Sequence, residues 1–566
     1  MKNVFILCAL LLIGQTAISQ QTDKSASSAQ LSWGSTDIRY EKQSIPQINK
    51  TNRWQTKAWK GERVNAQAVL WSNTDLPGVT ITMSDLKNGA NVIPSSAITT
   101  NFVSYVMTDE LSKDGTTGCG HRPDPAEWDS SLVADALDII KVMDVQARTT
   151  QPVWMNVKVP SDIKTGKYKG TLTVAGNNFS PMSLQIEVDV LNHLLPAPKD
   201  WVFHLDLWQN PFAVARYYQV PLWSKEHFDA MRPIMKRLAD AGQKGITCSI
   251  MHKPWAGQTF DHFDSMIGRM KTIDGRWMYD YTVFDKWVEF MMNEVGINKY
   301  IYCYTMIPWA LSFDYFDQAT NRVQFVEAKP GEAAYEEYWG TFLKDFASHL
   351  KQKGWFEKTT IAMDERGEDA MKETIKVIRK ADPQFKISVA GYYHESIQHE
   401  LYDLTIGFGH SFPEDIREAR RKAGQISNVY TCCAEPRPNT FTFSPPAEAT
   451  WLGWHAMAGD YDGYLRWAYN SWTEDPLHDS RFRTWAGGDC YLVYPGNRSS
   501  IRLERLIEGI QDYEKIRILK EDFKAKGEHA KLKRLNEAVS KFTAESITPN
   551  NAADMVNEAK KALNAF

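Results

Sequence analysis

Past its first twenty residues the chain has no run of about 20 uninterrupted apolar residues, the length a helix needs to cross a bilayer, so no membrane span is expected. Cysteine is scarce, with seven in 566 residues. Cys248, Cys303 and Cys432 lie in apolar β-like runs that suit buried free thiols, and neighbours such as Cys432 and Cys433 rarely bridge each other. No disulfide framework is therefore expected. Nowhere do His and Cys stand at zinc-like spacing, so no metal is expected. Clustered charge is missing too: the formal net charge is -4, with no basic stripe, which argues against nucleic acid and anionic membranes as partners.

What is present begins with MKNVFILCALLLIGQTAISQ. Lys2 precedes an apolar run from Val4 to Ile13, with small residues at Ala17 and Ser19, the pattern of a cleavable export signal over residues 1–19. Cys8 lies inside the apolar run and not after a small-residue lipobox, so no lipid anchor is read. A soluble periplasmic or secreted protein is expected. The chain also carries 20 tryptophans and 23 tyrosines. Most of these rings belong in cores, but flat apolar faces also suit the C–H faces of sugars.

Between residues 20 and 195 short alternating segments follow one another: RVNAQAVLWSN, VTITMSDLKNG, TQPVWMNVKVPSD, GKYKGTLTVAG and SLQIEVDVL. They predict an antiparallel β-sandwich. The prolines of LLPAP make a stiff linker. From 196 to 498 apolar strands alternate with amphipathic segments: WVFHLDLW, GITCSIM, YIYCYTMI, TTIAMDE, KISVAGYY, LTIGFGH, VYTCCAE and GYLRWAYNSW. Eight such units predict a (β/α)8 barrel. Residues 499–566, rich in Lys, Glu, Ala and Leu at helical spacing, predict a helical region whose charged face is solvated.

Barrel enzymes keep their reacting groups where strands enter the following loops, and there Asp364-Glu365 stands out, with Gly367 close behind to turn the chain. Two adjacent carboxylates repel, which raises the proton affinity of one and keeps the other ionised, as glycoside cleavage requires. The alternative is structural: Asp364 capping the next helix and Glu365 pairing with Arg366 or a cation on a helix face. Other strand-end groups able to hold a sugar are Trp208 and Asn210, His252, Tyr393 and His394, and Trp467, Asn470 and Trp472. The polar loop Gly118 to Asp124 is read as a surface turn, with reach to the barrel mouth as the alternative.

In order and spacing, PSDIKTGKYKGTLTV, IEVDVLNHLLPAP, the AMDE strand end, GYLRWAYNSW, GGDCYLVYPG and RLERLIEGIQDYE together resemble glycoside hydrolase family 123, over essentially the whole mature chain. The resemblance implies an exo-acting, retaining β-N-acetylgalactosaminidase without metal or organic cofactor, acting on terminal β-GalNAc, including glycosphingolipid-type glycans. It implies that the substrate's 2-acetamido group is the nucleophile, that Asp364 orients it and steadies the oxazolinium, and that Glu365 is general acid, then base. Two rivals stay open. Glu435, at the end of the seventh strand, and Glu365 could form the acid and nucleophile pair of an ordinary retaining glycosidase. A non-catalytic carbohydrate-binding protein is the other.

Overall fold

The computed structural model describes residues 29–110, 124, 126 and 128–566. The export-signal reading and most of the Gly118–Asp124 loop lie outside the described residues.

Two sheets pack face to face in the N-terminal region, one running 30–34, 63–71, 150–158, 98–108, 131–137 and one built mainly on 53–60, 182–194, 166–175, 76–83, 142–145. Alternating apolar residues such as Ala66, Ala68, Val153, Leu172 and Ile186 fill the space between them. Their pairing is not wholly antiparallel, because Met182–Leu194 runs parallel to Arg53–Lys60. That long strand ends at Leu194, where the linker begins and carries the chain to the barrel.

All eight expected barrel strands form: β1 (His204–Leu207), β2 (Gly245–Ser249), β3 (Tyr300–Tyr304), β4 (Thr359–Met363), β5 (Lys386–Gly391), β6 (Asp403–Gly407), β7 (Ile426–Tyr430) and β8 (Gly463–Arg466). They make one parallel sheet in the order β1-β8-β7-β6-β5-β4-β3-β2. Between β1 and β2 the main chains meet at the Leu205–Gln243 bridge and at a 3.0 Å bond from the Lys244 N–H to the Leu205 carbonyl, and the side chains of Gln209 and Gln243 span the rest of the gap, so the barrel is nearly closed. Burial on both faces explains why these strands read as continuous apolar runs.

The helical layer is less regular than eight repeats. Helices α1 (Pro211–Tyr218), α2 (Lys225–Ala239), α3 (Thr282–Glu289), α4 (Ala333–Lys353), α5 (Glu368–Ala381), α6 (Glu414–Lys422) and α7 (Pro446–Ala458) surround the sheet, but only a 3-10 turn, Gln398–Glu400, joins β5 to β6. The loops after β2 and β3 instead grow an accessory four-stranded sheet, Gly268–Lys271, Trp277–Asp280, Ser312–Asp317 and Arg322–Glu327. Asn210 caps α1 by accepting from the N–H groups of Phe212 and Ala213, and Gly354, at φ 70°, ends α4.

The C-terminal helix α8 (Ile501–Ala525) corrects the expectation of a solvated charged face. Arg502, Glu504, Arg505, Asp512, Glu514 and Lys515 are all buried. The helix is wedged between the two regions, packing so tightly on α7 that a Cβ on Gly453 would collide with the Gly509 carbonyl. Its charges survive burial because each has a partner: Arg502 Nε donates to Asp135 at 2.9 Å, Lys515 Nζ to Glu62 at 2.9 Å, and Glu514 accepts the Val202 and Phe203 N–H groups at 2.7 Å. Cys248, Cys303 and Cys432 are free thiols, as expected, and so is Cys490, whereas Cys433 is disulfide-bonded, which the sequence did not lead one to expect.

Candidate active site

Strand β4 stops at Met363, so Asp364 and Glu365 belong to the turn that follows and need not point to opposite faces. Asp364 Oδ1 accepts the Glu365 N–H at 2.9 Å, and its Oδ2 accepts the indole N–H of Trp255 at 3.0 Å. Glu365 Oε1 accepts the phenol hydrogen of Tyr430, the last residue of β7. The structural alternative is not what forms. Helix α5 takes no side-chain cap, and Arg366 donates to main-chain oxygens, Nη1 to the Glu365 carbonyl at 2.9 Å and Nε to the Ile307 carbonyl at 2.8 Å.

Burial, and next the charge of Glu365, push the Asp364 carboxyl up to about 6, against the lowering effects of the Glu365 N–H, Arg366 and Trp255. Burial raises the Tyr430 phenol strongly, and the neighbouring Glu365 charge adds to it, so Tyr430 stays a donor at neutral pH.

Both carboxylates line a pocket with about 560 Å³ of unfilled space, including its open mouth. Its walls come from the C-terminal ends of the strands, where the parallel sheet delivers loops from many units to one place. Trp208, after β1, stacks on Trp255 at 5.1 Å between ring centres. After the neighbouring strand β8 come Trp467 and, edge to face with it at 5.8 Å, Trp485. Asp489 and Arg466, both 0% exposed, form an ion pair of 2.5 Å, and Asp489 also accepts the Trp467 indole N–H at 3.1 Å. Leu465, Ala390, Cys432 and the bridged Cys433 complete the lining.

Of the residues read from the sequence, the pocket brings together Asp364, Glu365, Trp208 and Trp467. It leaves the others apart. Asn210 and Asn470 are buried, and the Asn470 side chain holds the Asn210 main chain, its Oδ1 accepting the Asn210 N–H at 2.9 Å and its Nδ2 donating to the Asn210 carbonyl at 2.8 Å, while the Trp472 indole donates to the Val493 carbonyl at 2.8 Å. His252 pairs with Asp264 at 2.5 Å, His394 lies 3.5 Å from Glu368, and Tyr393 packs edge-on against Phe412. Glu435 does not line the pocket: its Oε2 accepts the Cys432 N–H at 2.7 Å, closing its own loop, and burial raises its carboxyl.

Trp255, Gln258, Trp309, Tyr430, Trp485 and Asp489 line the pocket and were not singled out from sequence. A signal existed for two of them, the Pro-Trp pairs Pro254-Trp255 and Pro308-Trp309 just after β2 and β3. Tyr430 lies inside VYTCCAE, where the terminal glutamate drew the attention. Among the described residues no cluster of three His, Cys, Asp or Glu could hold a metal ion.

The catalytic-domain model of glycoside hydrolase 123 matches residues 208–519, and the N-terminal-domain model of glycoside hydrolase 123 matches residues 33–176. A family 123 glycoside hydrolase from Clostridium perfringens, solved to detail glycolipid glycan hydrolysis, is 27% identical, with 95% of this chain and 97% of that one covered at a TM-score of 0.86. A family 39 glycoside hydrolase from the gut symbiont Bacteroides cellulosilyticus is 11% identical over 70% of this chain and 76% of that one, with a TM-score of 0.33. No curated protein matches the chain.

Proposed function

The chain belongs to glycoside hydrolase family 123, and from that premise we propose that it releases terminal β-linked N-acetylgalactosamine by substrate-assisted, retaining catalysis. The observation that carries the reading is the pair Asp364 and Glu365, adjacent in the chain, held by different donors, and facing one tryptophan-lined pocket. Glu365, protonated, gives its proton to the glycosidic oxygen as the C1–O bond breaks. The acetamide carbonyl oxygen of the same sugar bonds to C1 and forms an oxazolinium ion. Asp364, ionised, accepts the acetamide N–H and offsets the positive charge. Glu365 then takes a proton from the water that attacks C1, and the ring opens with net retention. Tyr430 fixes one oxygen of Glu365 and leaves the other for the substrate.

Glu435 fits the rival poorly, because its carboxylate is committed to its own loop. The division at residues 195 and 498, with the sandwich as a scaffold, and export to the periplasm or beyond belong to the same proposal, as does a glycolipid-type glycan as the source of the sugar.

The test is turnover of aryl β-GalNAc against aryl β-GlcNAc and the 2-hydroxy aryl β-galactoside. The first should be cleaved much faster than the second, and the third not at all. A ratio near one between the first two would remove the specificity. A covalent adduct of a 2-fluoro sugar on Glu435 would replace the mechanism.

A further inference from the structure

Among the described residues lining the pocket, Trp309 is the only exposed one, 47% accessible at the rim. One face of its ring is taken: the Arg366 guanidinium carbon lies 3.7 Å from the ring centre. Arg366 is itself fixed by its bonds to the Ile307 carbonyl at 2.8 Å and the Glu365 carbonyl at 2.9 Å. It therefore ties the Trp309 loop to the main chain of Glu365 and holds the indole flat. A large apolar ring left half in water, already immobilised on one side, loses little side-chain freedom when a ligand covers the other.

We propose that Trp309 forms the aglycone subsite, its free face stacking on the C–H face of the sugar on the leaving side of the cleaved bond, with Arg366 as the positioning residue. This rests on the exo-acting reading above. In an exo-acting enzyme the terminal sugar fills the pocket and the remainder of the glycan leaves through the mouth. The leaving sugar must pass beside the group that protonates the shared oxygen. Trp309 is tethered to that group, and its ring is apolar where a pyranose offers C–H bonds.

The experiment compares wild type, Trp309→Ala and Trp309→Phe on an oligosaccharide ending in β-GalNAc. Alongside it, inhibition by the galacto-configured thiazoline, which has no aglycone, is measured for each. Trp309→Ala should lower kcat/KM for the oligosaccharide roughly ten- to hundredfold, change thiazoline inhibition by less than about threefold, and be largely rescued in Trp309→Phe. Unchanged oligosaccharide turnover would overturn the subsite, as would a parallel loss of thiazoline binding, which would mean that Trp309 shapes the whole pocket. Failure of the functional reading shows separately, in wild type alone: if it cleaves a different terminal sugar, the same three proteins are compared on that sugar and its own aglycone-free inhibitor.

Discussion

The interior of the barrel and its mouth both hold buried carboxyls, and only one of the two regions can use them. Inside, burial pushes Asp206 and Asp403 up to about 7. Tyr302 donates to Asp403 at 2.5 Å, while Gln243 and the Trp208 indole donate to Asp206 at 3.1 and 3.2 Å. His204, bonded to Tyr302 at 2.9 Å, is driven down to about 3 by burial and stays neutral. At the mouth Asp364 rises less, to about 6, and part of that rise comes from Glu365. The larger perturbation thus belongs to groups that line no substrate pocket. A shifted carboxyl marks a reacting group only where it also meets a pocket; elsewhere it marks a polar core. Asp206 still serves the site at one remove, because it anchors the indole of Trp208 in the pocket wall.

The largest expected effect separates the two regions directly. Glu365→Gln should lower kcat/KM about 10²- to 10⁴-fold on glycosides with poor leaving groups and much less on those of acidic phenols. Asp403→Asn, inside the barrel, should stay within about threefold of wild type, since perturbing a core group leaves transition-state contacts intact. Equal losses in both would erase the distinction. Next in size, Asp364→Asn should lose about 10²- to 10³-fold whatever the leaving group, because every substrate passes through the same intermediate. Near-normal activity there, together with an inactive Glu435→Gln, would transfer the chemistry to the two-glutamate mechanism.

The pH profile gives a smaller effect with a definite sign. Asp364 must be ionised to steady the oxazolinium, and its value of about 6 includes the charge that Glu365 loses when it carries the catalytic proton, so kcat/KM should fall on the acid side below about pH 6, and that limb should shift or vanish in Asp364→Asn when its residual rate is followed. An acid limb unchanged in the variant would assign it to another group. The smallest effect is on stability. A carboxyl raised in the folded state favours folding when protonated, so the stability Asp403 contributes is fully present below the ordinary carboxylate value and is lost as pH rises from there through about 7, with no further loss above it. Thermal melts from pH 4 to 8 should therefore show a contribution to Tm that declines up to about pH 7 and then levels, and Asp403→Asn should remove about 1–3 °C of that decline. A steeper decline in the variant would mean that ionised Asp403 is better satisfied than its surroundings imply.

Local pattern was enough for the eight barrel strands, because a strand buried on both faces is an unbroken apolar run bounded by turns. It also picked out Asp364 and Glu365, two carboxylates ending such a run, which the structure places at the pocket. It misjudged Asn210, Asn470 and Trp472, whose polar atoms bond the main chain of neighbouring loops instead of lining the pocket. It also missed α8 as a buried wedge, because a helix whose charges find partners on two other regions looks, in sequence, like one whose charges find water. The sequence by itself determined which segments form the barrel strands and which strand end carries the acidic pair. Only the tertiary structure decided which tryptophans share its pocket, that Tyr430 binds Glu365, and that Glu435 is tied elsewhere. Those facts depend on which loops the closing of the barrel brings together, and residues brought together from distant parts of the chain leave no periodic trace in it.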